Sequence, residues 1–90
     1  MEHELKIWPK YYEDTASGAK SFEYRNLDRD FQVNDTLWLR ELDRSVPENY
    51  TGRSFRAAIT YVLRPGAGDP FLFPWDYCIL GIKPFIGSQA

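Results

Sequence analysis

Apolar and polar residues alternate along several short segments of the chain, and this pattern predicts a small sheet with one helix. Alternation over residues 3–7 predicts a first strand with Leu5 and Ile7 facing inward. Proline is well tolerated at the first position of a helix, and Pro9–Ser17 contains no other breaker, so we expect a helix of about two turns there. Gly18 follows as its left-handed stop.

The segment from Lys20 to Arg25 is predicted to be the second strand, and it carries three charged side chains within six residues. Because a strand has a period of two, Glu23 and Arg25 fall on one face, while Phe22 and Tyr24 fall on the other and are expected to anchor the segment in the core. Lys20 stands where the strand begins, and its long side chain can curl toward Glu23. The segment therefore offers a cation, a carboxylate and a guanidinium close together.

The rest of the chain adds strands separated by turn residues. Three further strands are predicted over residues 36–42, 55–63 and 77–82. Asn34 precedes the first of them, at a turn where asparagine accepts positive φ. Every odd-numbered residue of 55–63 is apolar, which predicts that this face, Tyr61 included, points inward. Residues 43–52 are expected to form a long exposed hairpin loop, and residues 71–75, flanked by prolines, an ordered loop packed on the barrel.

Five strands and one early helix in 90 residues predict one small α+β domain with a mostly antiparallel sheet. Curling into a partly closed barrel would hide the edges of such a sheet. The aromatic content of 17% allows a modest core to be built from a few large side chains. Residues 1–84 are expected to form the domain, and residues 85–90 a loose tail.

Charge and composition narrow the classes of function. Thirteen acidic residues against eleven basic ones give a net charge of −2, which disfavours diffuse binding to nucleic acid but allows a local cluster to hold one phosphate or one base. His3 and Cys78 are each the only residue of their type, so no disulfide framework, metal site or cofactor is predicted. His3 is expected at the surface and Cys78 as an inert buried thiol. No signal peptide or membrane span is found, and the expected location is the cytoplasm.

The order of strand, short helix and the pattern Gly18-x-Lys20-x-x-Glu23-x-Arg25 resembles the G-x-K-x-x-E-x-R signature of ASCH domains in the PUA-like superfamily. Four further patterns strengthen the likeness: His3-x-Leu5-Lys6, Asp28-Arg29-x-Phe31-x-Val33-x-Asp35-x-Leu37, Tyr50-Thr51-Gly52-Arg53 and Tyr77-Cys78-Ile79-Leu80. Together they span nearly the whole chain. They resemble a small subfamily of uncharacterised domains found in bacteria and their phages.

This resemblance implies a PUA-like pseudo-barrel of five to six strands, with a cleft beside the helix where Lys20, Glu23 and Arg25 gather. ASCH domains are proposed to bind RNA or modified nucleotides, so either is the implied partner, with no membrane or metal involved. Lys6 and Arg53 stand in two of the supporting patterns and are added to the ligand-binding candidates. On the residues alone, Arg53 is expected to face solvent unless it lines the cleft.

The resemblance leaves open whether the chain is an enzyme. Some ASCH domains hydrolyse the acetyl amide of acetylated cytidine with a Lys, a Thr and a Glu. Lys20 matches the position of that Lys, but Glu23 stands where the Thr would be, and no residue is assigned to the distal Glu. A small amidohydrolase with Lys20 as general base and Glu23 as proton shuttle is therefore the alternative to a binding module.

Two further interpretations stay open. A Lys–Glu–Arg group on a strand is often a solvated face with weak ion pairs. The third candidate function is a protein–protein adaptor, in which residues 71–75 form an exposed apolar patch.

Overall fold

Five strands and one helix lie in the part of the chain that the computed structural model describes, which comprises residues 1–46, 48–65 and 76–86. The elements are β1 (Glu2–Ile7), α1 (Pro9–Ser17), β2 (Phe22–Asn26), β3 (Thr36–Leu42), β4 (Tyr50–Leu63) and β5 (Tyr77–Pro84). The predicted strands and helix are confirmed. Because β4 begins at Tyr50, the loop before it is shorter than predicted. The predicted loop at 71–75 lies outside the described residues.

The five strands form one mixed sheet in the order β1-β3-β4-β5-β2. β1 runs parallel to β3, and the other three pairings are antiparallel. The sheet curves into a half-barrel, which is compatible with the small α+β barrel-like fold expected from the sequence. β1 and β2 are its two edge strands, and α1 connects them along the chain. We call the gap between these two edges the seam.

α1 covers the inner side of the half-barrel and ends where the sequence predicts. Gly18 has φ of +89°, and its N–H donates a hydrogen bond to the carbonyl of Thr15 at 3.2 Å, so the glycine is the left-handed stop. Tyr12, Thr15 and Ala16 are buried, and the Tyr12 ring meets Phe55 of β4 edge-on at 5.4 Å. No helix in the described ranges is long and apolar enough to cross a membrane.

The core lies between α1 and the inward faces of the strands. Leu5 and Ile7 of β1 are buried in it, as the alternation predicts. The other large members come from every remaining strand but β2 and from the loop before β3: Phe31, Leu37, Leu39, Phe55, Ile59, Leu80 and Ile82. Cys78 is completely buried, as predicted, and burial raises the pKa of its thiol.

A bulge near the middle of β4 reverses which of its residues face inward. The pairing with β5 shifts between Ile59 and Tyr61, which makes Thr60 an extra residue. After the shift Tyr61 is 62% exposed, and Val62 packs against the core instead. The prediction that Tyr61 faces inward was wrong because a strand period of two does not survive an inserted residue. Gly81 lies opposite the bulge, where a Cβ would come within 3.0 Å of Thr60 Oγ1.

β2 turns its charged face, and not its aromatic face, toward the inside of the half-barrel. Glu23 pairs in register with Leu80, a fully buried residue of β5, and Glu23 is itself buried. Phe22 and Tyr24 are both 47% exposed. The prediction that these two aromatics anchor the core was wrong, because register with β5 places the Glu23 and Arg25 positions on the inner side.

His3 is buried, so the expectation of a surface histidine was wrong. It has the same parity along β1 as Leu5, which faces inward, and its ring lies edge-on to Phe31 at 4.8 Å. His3 Nε2 lies 2.8 Å from Asp35 Oδ2, and this hydrogen bond is the main reason that the pKa of Asp35 is below its usual range. Asn34, one residue earlier, has φ of +79°, which confirms the predicted turn.

Candidate functional site

A pocket of about 610 Å³ opens at the seam, beside α1. β1 contributes Lys6 to its lining, and the segment that follows α1 contributes Lys20, Glu23 and Arg25. Four of the five predicted site residues therefore lie around one cavity, which we call the seam pocket.

The centre of this pocket is a buried carboxylate between two cations. The Glu23 side chain is only 7% exposed. Its Oε1 lies 3.3 Å from Lys20 Nζ, and its Oε2 accepts a hydrogen bond from Arg25 Nε at 2.9 Å. Lys20 Nζ also donates to the carbonyl of Phe22 at 2.7 Å. Each cation thus binds a different carboxylate oxygen, and the contacts hold Lys20 and Arg25 on opposite sides of Glu23.

Arg25 also links the two edges of the half-barrel. Its Nη2 donates a hydrogen bond to the backbone carbonyl of Lys6 across the seam. Arg29, beyond the end of β2, makes a similar bond from Nη1 to the carbonyl of Glu4 at 3.3 Å. β1 pairs with β3 along its other side, so these carbonyls belong to an edge that none of the five described strands covers. Arg25, which binds Glu23, is therefore also held in place by β1 on the other side of the seam.

Exposed aromatic rings surround the charged group. Trp8 is 51% exposed, Tyr11 41%, and Phe22 and Tyr24 47% each, and all four line the seam pocket. Lys20 Nζ lies 4.7 Å from the centre of the Phe22 ring and 5.5 Å from that of Tyr11. Rings of this size are usually buried in a small core, so four of them around one cavity mark a surface suited to a flat ligand.

Sequence reasoning did not identify Trp8 or Tyr11 as site residues, although a signal was present. Trp8 directly follows Ile7, and because the Ile7 side chain faces the core, the next side chain is expected to face away from it. Tyr11 stands beside Tyr12 on α1 but off the buried stripe. Both are therefore large aromatics at positions that face solvent, and this combination was the available clue.

Arg53 lies outside the seam pocket, in a second cluster around another buried carboxylate. Its Nε and Nη2 donate to the two oxygens of Glu41 at 2.9 and 2.8 Å, and its Nη1 donates to Glu13 of α1 at 2.5 Å. The Thr51 hydroxyl donates to Glu41 Oε1 at 2.8 Å, and the Arg53 guanidinium lies 4.2 Å from the centre of the Tyr12 ring. We call these five residues the Glu41 cluster.

The titration of the Glu41 cluster follows from these contacts. The hydrogen bond from Arg53 holds the pKa of Glu41 below its usual range, with a smaller contribution from Thr51. Hydrogen bonds to Glu41 and Glu13 raise the pKa of Arg53. Burial raises the pKa of Tyr12. The cluster joins α1, β3 and β4 and has the form of a structural ion-pair network.

The seam pocket offers three kinds of interaction to a ligand. Glu23 can accept hydrogen bonds, Lys6, Lys20 and Arg25 can hold an anion, and the aromatic rings can stack. Within residues 1–46, 48–65 and 76–86, no group of three His, Cys, Asp or Glu side chains is placed to hold a metal ion.

Two comparisons relate the chain to known proteins. The sequence pattern of the family described as "Domain of unknown function (DUF3850)" matches residues 2–82. A protein of Escherichia phage P2, described as "Uncharacterized 12.9 kDa protein in GpA 3′region", is 40% identical over 60 residues, which cover 67% of this chain and 52% of that protein. The chain thus spans about half the length of this curated relative. Since the family pattern matches all but the two ends of the sequence, the chain belongs to the DUF3850 family.

Proposed function

We propose that this chain is a binding module for a nucleobase, in RNA or in a modified nucleotide, and that the base occupies the seam pocket. The observation that carries the proposal is the buried carboxylate of Glu23, held between Lys20 and Arg25 inside a cavity bordered by exposed aromatic rings. A ligand that satisfies this site has flat apolar faces and a polar edge.

A nucleobase has both properties. The rings of Trp8 and Tyr11 can stack on its faces, and Glu23 can accept hydrogen bonds from an exocyclic amine. Lys6 and Arg25 can hold a phosphate attached to it. The net charge of −2 favours a compact pocket of this kind over an extended basic groove.

The relation to ASCH domains is part of this proposal. It rests on the Gly18-x-Lys20-x-x-Glu23-x-Arg25 pattern and on its place between a strand with a short helix and a second strand. On the same grounds we propose that the half-barrel is a pseudo-barrel of the PUA-like type. A cytoplasmic location stays a prediction.

The test is the change Glu23→Gln, which keeps the size of the side chain and removes its charge. We expect the folded protein to lose about 1–3 kcal/mol of ligand affinity, because a charge-assisted acceptor is gone. Glu23 is buried, so the unfolding free energy should also fall, by about 1–2 kcal/mol, because the amide keeps one acceptor oxygen for Lys20 or Arg25. Titration of the wild type and the variant with cytidine, acetylated cytidine and short RNAs measures the first quantity, and denaturant unfolding the second.

Glu4→Gln is the matched control. Glu4 stands on β1 near the seam, but its side chain pairs with Arg40 and does not line the pocket. The control should bind like the wild type. Equal affinity of Glu23→Gln and wild type for every ligand bound would refute a role for Glu23 in reading a base, and a wild type that binds none of these ligands would refute the proposed function.

The alternative activity is hydrolysis of an acylated base, and the amine–carboxylate contact between Lys20 and Glu23 is the observation that favours it. A general base must accept a proton, however, whereas Lys20 Nζ donates its hydrogen bonds to Glu23 and to the carbonyl of Phe22. Release of acetate from acetylated cytidine would favour the enzyme. The adaptor alternative depends on residues 71–75, which lie outside the described residues.

A further inference from the structure

A second pocket of about 260 Å³ follows the seam pocket along the seam. Tyr24 and Arg25 line both cavities, and β1 contributes Lys6 to the first and Leu5 to the second. Tyr77 of β5 lines the second cavity only, so we call it the Tyr77 pocket. The two cavities therefore adjoin at Tyr24 and Arg25, and we call them the two compartments of the seam.

Arg25 stands between the compartments in a fixed orientation. Its Nε–H binds Glu23 and one Nη2–H binds the Lys6 carbonyl, and its side chain is only 23% exposed. A guanidinium has five N–H groups. Two of those of Arg25 make these hydrogen bonds, and among the described residues the other three are available to a ligand. A guanidinium held in this way is suited to a phosphate that joins a group in one compartment to a group in the other.

The Tyr77 pocket offers a flat ring and hydrogen-bonding groups, which are the features of a base site. Tyr77 stacks on Tyr24, with ring centres 4.8 Å apart and 18° between the planes. Asn26 offers both a donor and an acceptor at the pocket wall, and the Asp28 carboxylate, which pairs with Arg29 Nε at 3.4 Å, adds further acceptors. Residues of a strand rise about 3.3 Å each, so Glu23 and Asn26 are about 10 Å apart along β2. That distance is longer than one base, and two linked nucleotides can span it.

From this arrangement we infer that the ligand is an RNA segment of two nucleotides, with one base in the seam pocket, the linking phosphate at Arg25 and the second base in the Tyr77 pocket. The inference rests on the proposed function and narrows its ligand class from a nucleotide to a dinucleotide step.

The experiment compares each nucleoside 3′-monophosphate with the dinucleoside monophosphates that extend it, by calorimetric titration of the full chain. The best dinucleotide should bind about fivefold to a hundredfold more tightly than its better mononucleotide, the range for stacking one more base. Asn26→Ala should reduce this gain and keep the wild-type mononucleotide affinity. Tyr77→Ala should also reduce the gain, and its mononucleotide affinity is measured as well because Tyr77 stacks on Tyr24 of the seam pocket. Asn26 is exposed, so its variant keeps the test valid if Tyr77→Ala does not fold. Tyr61→Ala, an exposed tyrosine outside both pockets, is the control and should change neither affinity.

The outcomes separate this inference from the proposed function. If mononucleotides bind and dinucleotides bind no better, the two-compartment site is overturned and the base-binding proposal stands. If the gain persists in both variants, the second base lies elsewhere and the inference is again overturned. If no mononucleotide and no dinucleotide binds, both are overturned.

Discussion

Two buried carboxylates, Glu23 and Glu41, occupy inward-facing positions on different strands of the half-barrel, and each is bound by an arginine. Around Glu41 the contacts are closed: Arg53 binds both oxygens, and Thr51 donates a further hydrogen bond. Around Glu23 they are open, since Arg25 reaches one oxygen and Lys20 the other, and the group borders a cavity.

This difference shows that a buried carboxylate bound by an arginine can either stabilise the fold or remain available to a ligand. A buried charge whose partners satisfy it fully fixes the elements that carry them, here α1, β3 and β4, and leaves little capacity for a ligand. A carboxylate that keeps lone pairs toward a cavity retains that capacity. The comparison therefore predicts that damage to the Glu41 cluster lowers stability and leaves affinity unchanged, whereas damage at Glu23 lowers affinity as well.

The largest expected effect follows from Arg53→Leu. The change leaves Glu41 buried without its cation, which costs about 3–5 kcal/mol in a fully buried pair. Arg53 is 47% exposed, so we expect a loss of about 2–3 kcal/mol in the unfolding free energy. Affinity for nucleotides should stay at the wild-type level. Chemical denaturation and ligand titration of the same preparation measure both.

Arg40→Leu is the matched control for that prediction. Arg40 pairs with Glu4 on the outer face, where both side chains are partly exposed, and its guanidinium lies 3.7 Å from the centre of the Tyr50 ring, so the loss should be about 1 kcal/mol. Equal losses in the two variants would show that the burial of Glu41 does not distinguish it from a surface ion pair.

Gly18→Val should affect both stability and binding. The φ of +89° strains a β-branched residue, and a Cβ there would meet nothing within 4 Å, so the cost is conformational and amounts to about 1 kcal/mol or more. Affinity should fall as well, because the same turn positions Lys20, whose N–H binds the carbonyl of Asp14 at 2.8 Å. Gly18→Asn, which tolerates this conformation, should cost less. A Val variant within a few tenths of a kcal/mol of wild type would contradict the assignment.

Acid provides a milder test of the Glu41 cluster. The folded-state pKa of Glu41 is below its ordinary value of 4.5, so the stability from its ionised form is complete above pH 4.5 and is lost as the pH falls through the folded pKa. The difference in unfolding free energy between wild type and Glu41→Gln should therefore shrink on acidification. Asp35 is shifted in the same direction in both proteins and cancels in the difference. A gap that stays constant down to the acid unfolding transition would disprove the linkage.

The smallest expected effect is the dependence of binding on salt. A pocket that holds one or two phosphates gives a shallow slope of log affinity against log salt, about −0.7 per phosphate for a single strand. Titrations of a short RNA at several salt concentrations measure it. A steep slope would indicate many phosphate contacts and an extended groove in place of the seam pocket.

Local patterns in the sequence predicted much of this architecture. Proline at the start of α1 and glycine at its end set the helix bounds, and the spacing of Lys20, Glu23 and Arg25 brought them together. The orientation of β2 could not be predicted, because alternation defines two faces and only register with β5 decides which one is inside. For the same reason Phe22 and Tyr24 border the pocket and do not fill the core.

Three other differences have equally specific causes. His3 shares the parity of Leu5, and this pattern outweighs the usual tendency of a lone histidine to be exposed. The bulge at Thr60 reversed the side of Tyr61, and nothing in a run of alternating residues indicates where a strand gains an extra residue. Arg53 was linked to the site by a sequence pattern, while its guanidinium is bound by Glu41 and Glu13, which are distant along the chain.

The hydrogen bonds from Arg25 and Arg29 to β1 have a consequence for the behaviour of the protein in solution. An uncovered strand edge is a template on which another chain can add a strand, and such growth leads to aggregation. Here the carbonyls of Lys6 and Glu4 are occupied by guanidinium groups, which bring positive charge and bulk to that edge. An incoming strand would have to displace both arginines. We therefore expect these two contacts to hinder edge-to-edge polymerisation along β1.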